Sequence, residues 1–282
     1  RNRIAREALQ AAIKSNPSPV YDSSVVQKIQ VGNFTDDLCK IAGCDWVVEV
    51  VVERLDIKQQ LFAEVEKYRT PGTLISSNTS GIPINRMAEG RSEDFRKHFC
   101  GTHFFNPPRY LRLLEIIPGP KTDAAVISFL THYGDLFLGK VTVQCKDTPA
   151  FIANRIGVFA MMKVFELTSS LQFTISEIDK LTGPIAGRPK SATYRTADIV
   201  GLDTLIKVAN GISQNCPQDE ALQLFQIPSW ISKMAEKNML GDKSGMGFYK
   251  KVKGDGKKEI LELDIASLEY KPSVKSSFPT LE

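Results

Sequence analysis

Long apolar runs are missing from this sequence: no stretch of eighteen apolar residues occurs, so no membrane-spanning helix is expected. The start shows no signal-peptide pattern either. Excess charge is nearly absent. Thirty-six Lys and Arg against thirty-two Asp and Glu leave +4, too little to argue for a nucleic-acid partner and mildly favourable to an anionic one. Cysteines number five, an odd count, scattered among apolar residues, which suits reduced thiols in a cytoplasm. Cys39 and Cys44 lack a further His or Cys at ligand spacing, so no metal site is expected. No Gly-x-Gly-x-x-Gly follows a strand. Gly241, Gly245 and Gly247 come near the end in a different spacing.

What is present reads as alternating strands and helices. Helices are expected over Asn2 to Ser15, Asp36 to Ala42, Ile57 to Tyr68, Pro83 to Ala88 and Asp123 to Leu138. Strands are expected at Val25 to Val31, Asp45 to Val52, Thr73 to Ser77, Phe99 to Phe105, Leu111 to Ile117 and Val141 to Cys145. The run Asp45 to Val52 reads as a strand buried on both faces of a parallel sheet. The pattern predicts an α/β fold with a doubly wound, Rossmann-type parallel sheet over residues 1–147.

At Pro149 the pattern turns helical: Phe151 to Gln172, Ile175 to Leu181, Thr193 to Gln214, Asp219 to Leu224 and Ser229 to Asn238. A separate all-α domain is expected over 148–250. The remainder, 251–282, reads as a hairpin turning at Asp255-Gly256, followed from Tyr270 by a linker.

Chemistry-bearing residues gather between Ser77 and Glu115. His103 stands in one apolar run and Glu115 in the next, twelve residues on. Side chains on a strand alternate, so a strand-turn-strand could bring both to one crevice, where a carboxylate-held histidine makes a general base. The plainer alternative is a hydrogen-bonded core histidine and a surface acid. Ser80, after a strand, is either a hydrogen-bond donor to a reacting oxygen or a turn serine. Asn154 is either an amide donor to substrate or a capping residue. Glu53 and Lys58 are either ligand-facing groups at a strand's carboxyl end or an exposed helix start.

The ordered motifs Val48-Glu49-Val50-Val51-Val52-Glu53-Arg54-Leu55-Asp56-Ile57-Lys58, Ser77-Asn78-Thr79-Ser80, His103-Phe104-Phe105-Asn106-Pro107, Leu114-Glu115-Ile116-Ile117 and Asp147-Thr148-Pro149-Ala150-Phe151-Ile152-Ala153-Asn154-Arg155 are telling together. Over about residues 40 to 250 they resemble the NAD-dependent L-3-hydroxyacyl-CoA dehydrogenases. Gly187-Arg188-Pro189-Lys190-Ser191-Ala192-Thr193 and the tail Leu261-Glu262-Leu263-Asp264 are similar to the dehydrogenase part of bacterial multifunctional fatty-acid β-oxidation proteins, in which a hydratase module follows.

The resemblance implies NAD as cofactor, an acyl-CoA substrate, a homodimer, and a catalytic set of His103 as base, Glu115, Ser80 and Asn154. It places Ser80 and Asn154 on the substrate. Glu53, Lys58, Ser80, Asn106 and Lys243 fall on the cofactor side, although Lys243 also reads as a plain loop charge. Two other readings stay open: a non-catalytic acyl-CoA-binding or dimerisation module, and another two-domain hydroxyacid dehydrogenase. The latter class usually relies on a lysine base. Because the phosphate-cradling glycine turn is missing, this chain is expected to be a fragment without measurable dehydrogenase activity, with an apolar edge exposed around Val48 to Val52.

Overall fold

The computed structural model describes residues 1–254, 257–273 and 277–279. The chain divides into two compact units, Arg1–Ile152 and Ala153–Glu282. In the first, an amphipathic helix α1 (Arg3–Lys14) precedes β1 (Trp46–Glu49), α2 (Leu55–Tyr68), β2 (Leu74–Ser77), α3 (Ile84–Met87) and α4 (Glu93–Lys97). Then come β3 (Phe99–Phe104), β4 (Leu113–Pro118), α5 (Ala124–Leu136) and β5 (Val141–Gln144). The strands form one sheet in the order β1-β2-β3-β4-β5.

Alternation of side chains gives this sheet two cores. Ile75, Phe99 and Ile117 pack with Phe62 of α2, Ile84 and Met87 of α3 and Phe95 of α4. Their sequence neighbours Leu74, Cys100 and Ile116 point the other way and pack with Val126 and Leu130 of α5. Helices therefore cover both faces, as a doubly wound fold requires.

The sheet is not wholly parallel. β3 and β4 run antiparallel, with His103 directly opposite Glu115, while the other pairs are parallel. The short connection between β3 and β4 explains this, because a parallel return needs a crossover of a dozen or more residues. β1 also differs from the expected doubly buried strand. It is an edge strand, and Val48, Val50 and Val52 are 41%, 67% and 59% exposed.

The expected strand at Val25 to Val31 is instead a 3₁₀ turn over Ser23–Lys28 with no buried residue. Asp22 accepts the Ser24 N–H at 2.8 Å, a local bond that competes with pairing. The expected helix at Asp36 to Ala42 is a 3₁₀ helix, Leu38–Gly43.

The second unit contains α6 (Ala153–Leu171), α7 (Ile175–Thr182), α8 (Tyr194–Val200), α9 (Leu202–Asn215) and α10 (Ser229–Glu236). α7 opens with a reciprocal capping box between Thr174 and Glu177. The single helical run expected from Thr193 to Gln214 is broken at Gly201, whose φ of +95° a side-chain-bearing residue rarely adopts. Asp219 to Leu224 yields only the 3₁₀ turn Leu222–Phe225. Phe165, Tyr194, Trp230 and Phe248 stack into the aromatic centre of this unit.

β6 (Tyr249–Gly254), β7 (Lys257–Asp264) and β8 (Glu269–Pro272) then form a small antiparallel sheet. The expected turn at Asp255-Gly256 lies outside the described residues. The stretch from Tyr270, expected as a linker, pairs with β7 instead, Leu263 opposite Tyr270. Among the described residues no helix is long and apolar enough to cross a membrane.

Candidate active site

β1, β2 and β3 run parallel, so their carboxyl ends share one edge of the sheet. This is the edge at which open α/β sheets take ligands. Glu53, Ser80, His103 and Asn106 all lie at or just beyond these strand ends.

His103 is buried on β3, and Glu115 is fully buried on β4. Cross-strand register makes them neighbours, and His103 Nδ1 meets Glu115 Oε2 at 2.7 Å. A carboxylate only accepts hydrogen bonds, so Nδ1 carries the proton and Nε2 is the atom able to receive one. The surface-acid alternative for Glu115 is thereby removed.

Glu115 is held from its other oxygen too: Oε1 accepts the Ile152 N–H at 3.0 Å. The imidazole lies against Phe105 and Phe151, with ring centroids at 4.5 Å and 5.6 Å. Nearby, burial and then the Glu115 charge push the Cys145 thiol up to about 12, so it stays a neutral thiol.

Two successive residues of this segment have left-handed backbone. Ala150 has φ +64° and Phe151 φ +49°. A bulky residue in that region costs on the order of 1–3 kcal/mol. The strain coincides with the segment that sets the Phe151 ring on His103 and the Ile152 amide on Glu115.

A second cluster joins the ends of β1 and β2. Lys58 is 1% exposed, which rules out a plain exposed helix start. Its ammonium contacts both Glu49 oxygens, at 2.8 Å and 2.9 Å, and lies 3.4 Å from Glu53 Oε2. Glu53 Oε1 accepts the Thr79 hydroxyl at 2.6 Å and the backbone N–H groups of Ser80 and Gly81 at 2.9 Å and 3.2 Å. Burial pushes the Glu53 carboxyl up. The Thr79 hydroxyl, the Ser80 N–H and the Lys58 charge outweigh it and hold the group below its usual value. Ser80 is itself exposed, its turn pinned by these bonds.

The two clusters are tied by Asn78, whose side-chain oxygen accepts the Phe104 N–H at 2.9 Å, next to His103. Glu49, Asn78 and Thr79 were not singled out as site residues from sequence. The signal available was an acid inside the apolar run Val47 to Val52, nine residues before a lysine.

Asn106 is exposed two residues beyond β3. Asn154 and Lys243 belong to the second unit. Asn154 is half-buried on the first turn of α6. Lys243 pairs with Asp203. A cavity of about 940 Å³ in that unit is bordered by Asp179, Lys180, Arg195, Tyr249 and Ile260, and contains none of the sequence-predicted site residues.

Glu53 and Ser80 together offer a part-exposed carboxylate as acceptor and an exposed hydroxyl as donor, the chemistry a ribose takes, while Asn106 stands separately beyond β3. The glycine turn that cradles a dinucleotide's phosphates is not among the 282 residues.

Residues 2–148 match the family model for the NAD-binding domain of 3-hydroxyacyl-CoA dehydrogenase, and residues 151–251 match the model for its C-terminal domain. A probable 3-hydroxyacyl-CoA dehydrogenase of Bacillus subtilis is 46% identical over all of this chain, which spans 35% of that relative. A putative fatty acid oxidation complex trifunctional enzyme of Rickettsia felis is 33% identical over the whole chain, which spans 39% of it. The crystal structure of FadB2 from M. tuberculosis aligns over 89% of this chain and 85% of its own, with TM-score 0.74 and 28% identity. The chain thus covers little more than a third of these two curated relatives. Its two successive domains, the first of which binds NAD in such enzymes, make it a member of the 3-hydroxyacyl-CoA dehydrogenase family.

Proposed function

We propose that this chain carries the dehydrogenase step of fatty-acid β-oxidation, the conversion of an L-3-hydroxyacyl-CoA to its 3-ketoacyl-CoA, within a longer multifunctional protein. The observation that carries this reading is the buried cross-strand pair of His103 and Glu115, 2.7 Å apart, at the carboxyl edge of the sheet. His103 Nε2 takes the proton of the substrate's 3-hydroxyl. Glu115 fixes the ring's orientation and stabilises the imidazolium that forms, a contribution of roughly 10²–10⁴-fold for a base of this kind. NAD, when bound, supplies the hydride acceptor.

Ser80 donates its hydroxyl to the reacting oxygen, and Asn154 donates its amide N–H to the substrate carbonyl. Glu53, Lys58 and Asn106 form the nicotinamide-side corner, and Lys243 is assigned to the cofactor as well. A homodimer, a following hydratase module and a cytoplasmic setting belong to the same reading.

The alternative reading is a non-catalytic acyl-CoA-binding or dimerisation module. Phosphate cradles act through charge-assisted hydrogen bonds at a helix N-terminus, each worth roughly 1.5–3 kcal/mol. This chain alone is therefore expected to bind NADH at least about a hundredfold more weakly than a form that supplies the glycine turn.

NADH oxidation with acetoacetyl-CoA, measured on both forms, separates the readings. Turnover in the form with the turn supports the dehydrogenase. No turnover in either, with acyl-CoA still bound, supports the module.

A further inference from the structure

Glu49 has no part in the reaction as assigned above, yet both of its oxygens are held by polar partners in the β1–β2 corner. Its two oxygens accept from Lys58 Nζ at 2.8 Å and 2.9 Å, from the Ser77 hydroxyl at 2.5 Å and from the Val51 N–H at 2.5 Å. It is 4% exposed, and Lys58 is 1% exposed. Here one buried cation lies between two carboxylates, and it is shared unequally. Glu49 holds it at both oxygens, while Glu53 approaches it only to 3.4 Å.

That inequality has a consequence for Glu53. Its Oε1 is the acceptor that ties down Thr79, Ser80 and Gly81. A buried ammonium with no other anion would draw Glu53 onto itself, because charge attraction is strong where water is excluded. Glu49 satisfies the ammonium first and so leaves the Glu53 carboxylate on the turn.

We propose that Glu49 is a positioning residue: by holding Lys58 it keeps Glu53 clamped on the Thr79–Gly81 backbone and thereby fixes where the Ser80 hydroxyl stands. The consequence for catalysis rests on the reaction proposed above; the clamp itself does not.

The clamp is read by hydrogen–deuterium exchange on the chain without any ligand. Glu49→Gln keeps the shape and removes the charge. The Ser80 and Gly81 amides are expected to exchange about tenfold faster, as for one lost hydrogen bond, while β3 and β4 amides stay unchanged. Adding Lys58→Met removes the cation that would draw Glu53 away, and turn exchange should return to within about threefold of the parent. A purely structural role gives neither the local pattern nor this rescue. Should Glu49→Gln fail to fold, Glu49→Asp keeps the charge but loses reach. It is expected to speed the same two amides about threefold.

Unchanged exchange at Ser80 and Gly81 in the folded variant, or a rise spread evenly over the sheet, overturns the proposal. So does a loosened turn with undiminished acetoacetyl-CoA turnover in the form that carries a glycine turn. A parent protein with no turnover at all would remove the proposed reaction instead, and the exchange result would still decide the clamp.

Discussion

Glu115 reaches His103 from directly across the sheet: the two are register partners on antiparallel β4 and β3, joined at 2.7 Å. Glu115 spends its other oxygen on the Ile152 N–H. The ring therefore has one orientation, with its Nδ1 hydrogen directed at the carboxylate. In the form that supplies the glycine turn, His103→Gln is expected to lower kcat by roughly 10²–10⁴-fold while Tm stays close to the parent's. Near-parental turnover would remove His103 from the reaction.

Glu115→Gln tests the other half of the pair. A glutamine can donate its amide N–H to Nδ1, which favours the tautomer with the proton on Nε2 and blocks the base. A loss in kcat of at least about tenfold, smaller than that of His103→Gln, is expected from steady-state kinetics. Equal activity of the variant and the parent would mean the carboxylate is structural.

This pair was partly legible in the sequence: a His and a Glu stand in two neighbouring apolar strands, and alternation allows one crevice, but only the cross-strand register removes the alternative of a surface acid. Glu49 was not, although it sits in a quoted motif: hydropathy marks an acid in a valine run as an anomaly, and its partner is nine residues away on a helix. The strand-like Val25 to Val31 misled for a related reason. β-branched residues favour a strand only where a neighbour exists to pair with, and here the Asp22–Ser24 bond makes a turn. Tyr270 onward looked polar and unstructured, yet β7 offers it an edge. The tertiary partner decides such cases, and no local pattern names it.

Asn154 is expected to act on substrate. Asn154→Ala should reduce kcat with a 3-hydroxyacyl-CoA by at least about tenfold while the NADH dissociation constant stays within about twofold. Both are measured on the form that supplies the phosphate cradle, by turnover and by fluorescence titration. A weakened NADH complex instead would move Asn154 to the cofactor side.

Gly247 is required by packing alone. A Cβ at this position would run into the Asp198 carboxylate and the Gly241 backbone. Asp198 accepts the Phe248 and Tyr249 N–H groups at 2.8 Å and 2.9 Å, so it cannot move aside without losing them. Gly247→Ala is expected to destabilise the second unit by about 2–4 kcal/mol in urea unfolding, combining overpacking with a lost buried hydrogen bond. A change under about 0.5 kcal/mol would show that the contact relaxes freely.

Asp198 also gives stability a pH dependence. It is 3% exposed, and burial pushes its carboxyl up to about 6 from 3.8 despite the two N–H groups that favour the charged form. A folded-state value above the unfolded one means the folded protein holds this proton more tightly. Its contribution to stability is then fully present below about pH 4 and lost as pH rises through about 6. The difference amounts to on the order of 3 kcal/mol. Other carboxyls pull the opposite way. Asp264, held down to about 2 by Lys271, by the Ser267 N–H and by its hydroxyl, stabilises the fold as pH rises. The parent's total curve therefore does not isolate Asp198, but its difference from Asp198→Asn does. Asparagine cannot titrate, and it forfeits part of the Phe248–Tyr249 contact at every pH. The parent's stability advantage over Asp198→Asn is expected to be largest near pH 4 and to shrink by about 2–3 kcal/mol by pH 7, read from urea unfolding of both proteins at each pH. Parallel curves across that range would place the Asp198 carboxyl at an ordinary value.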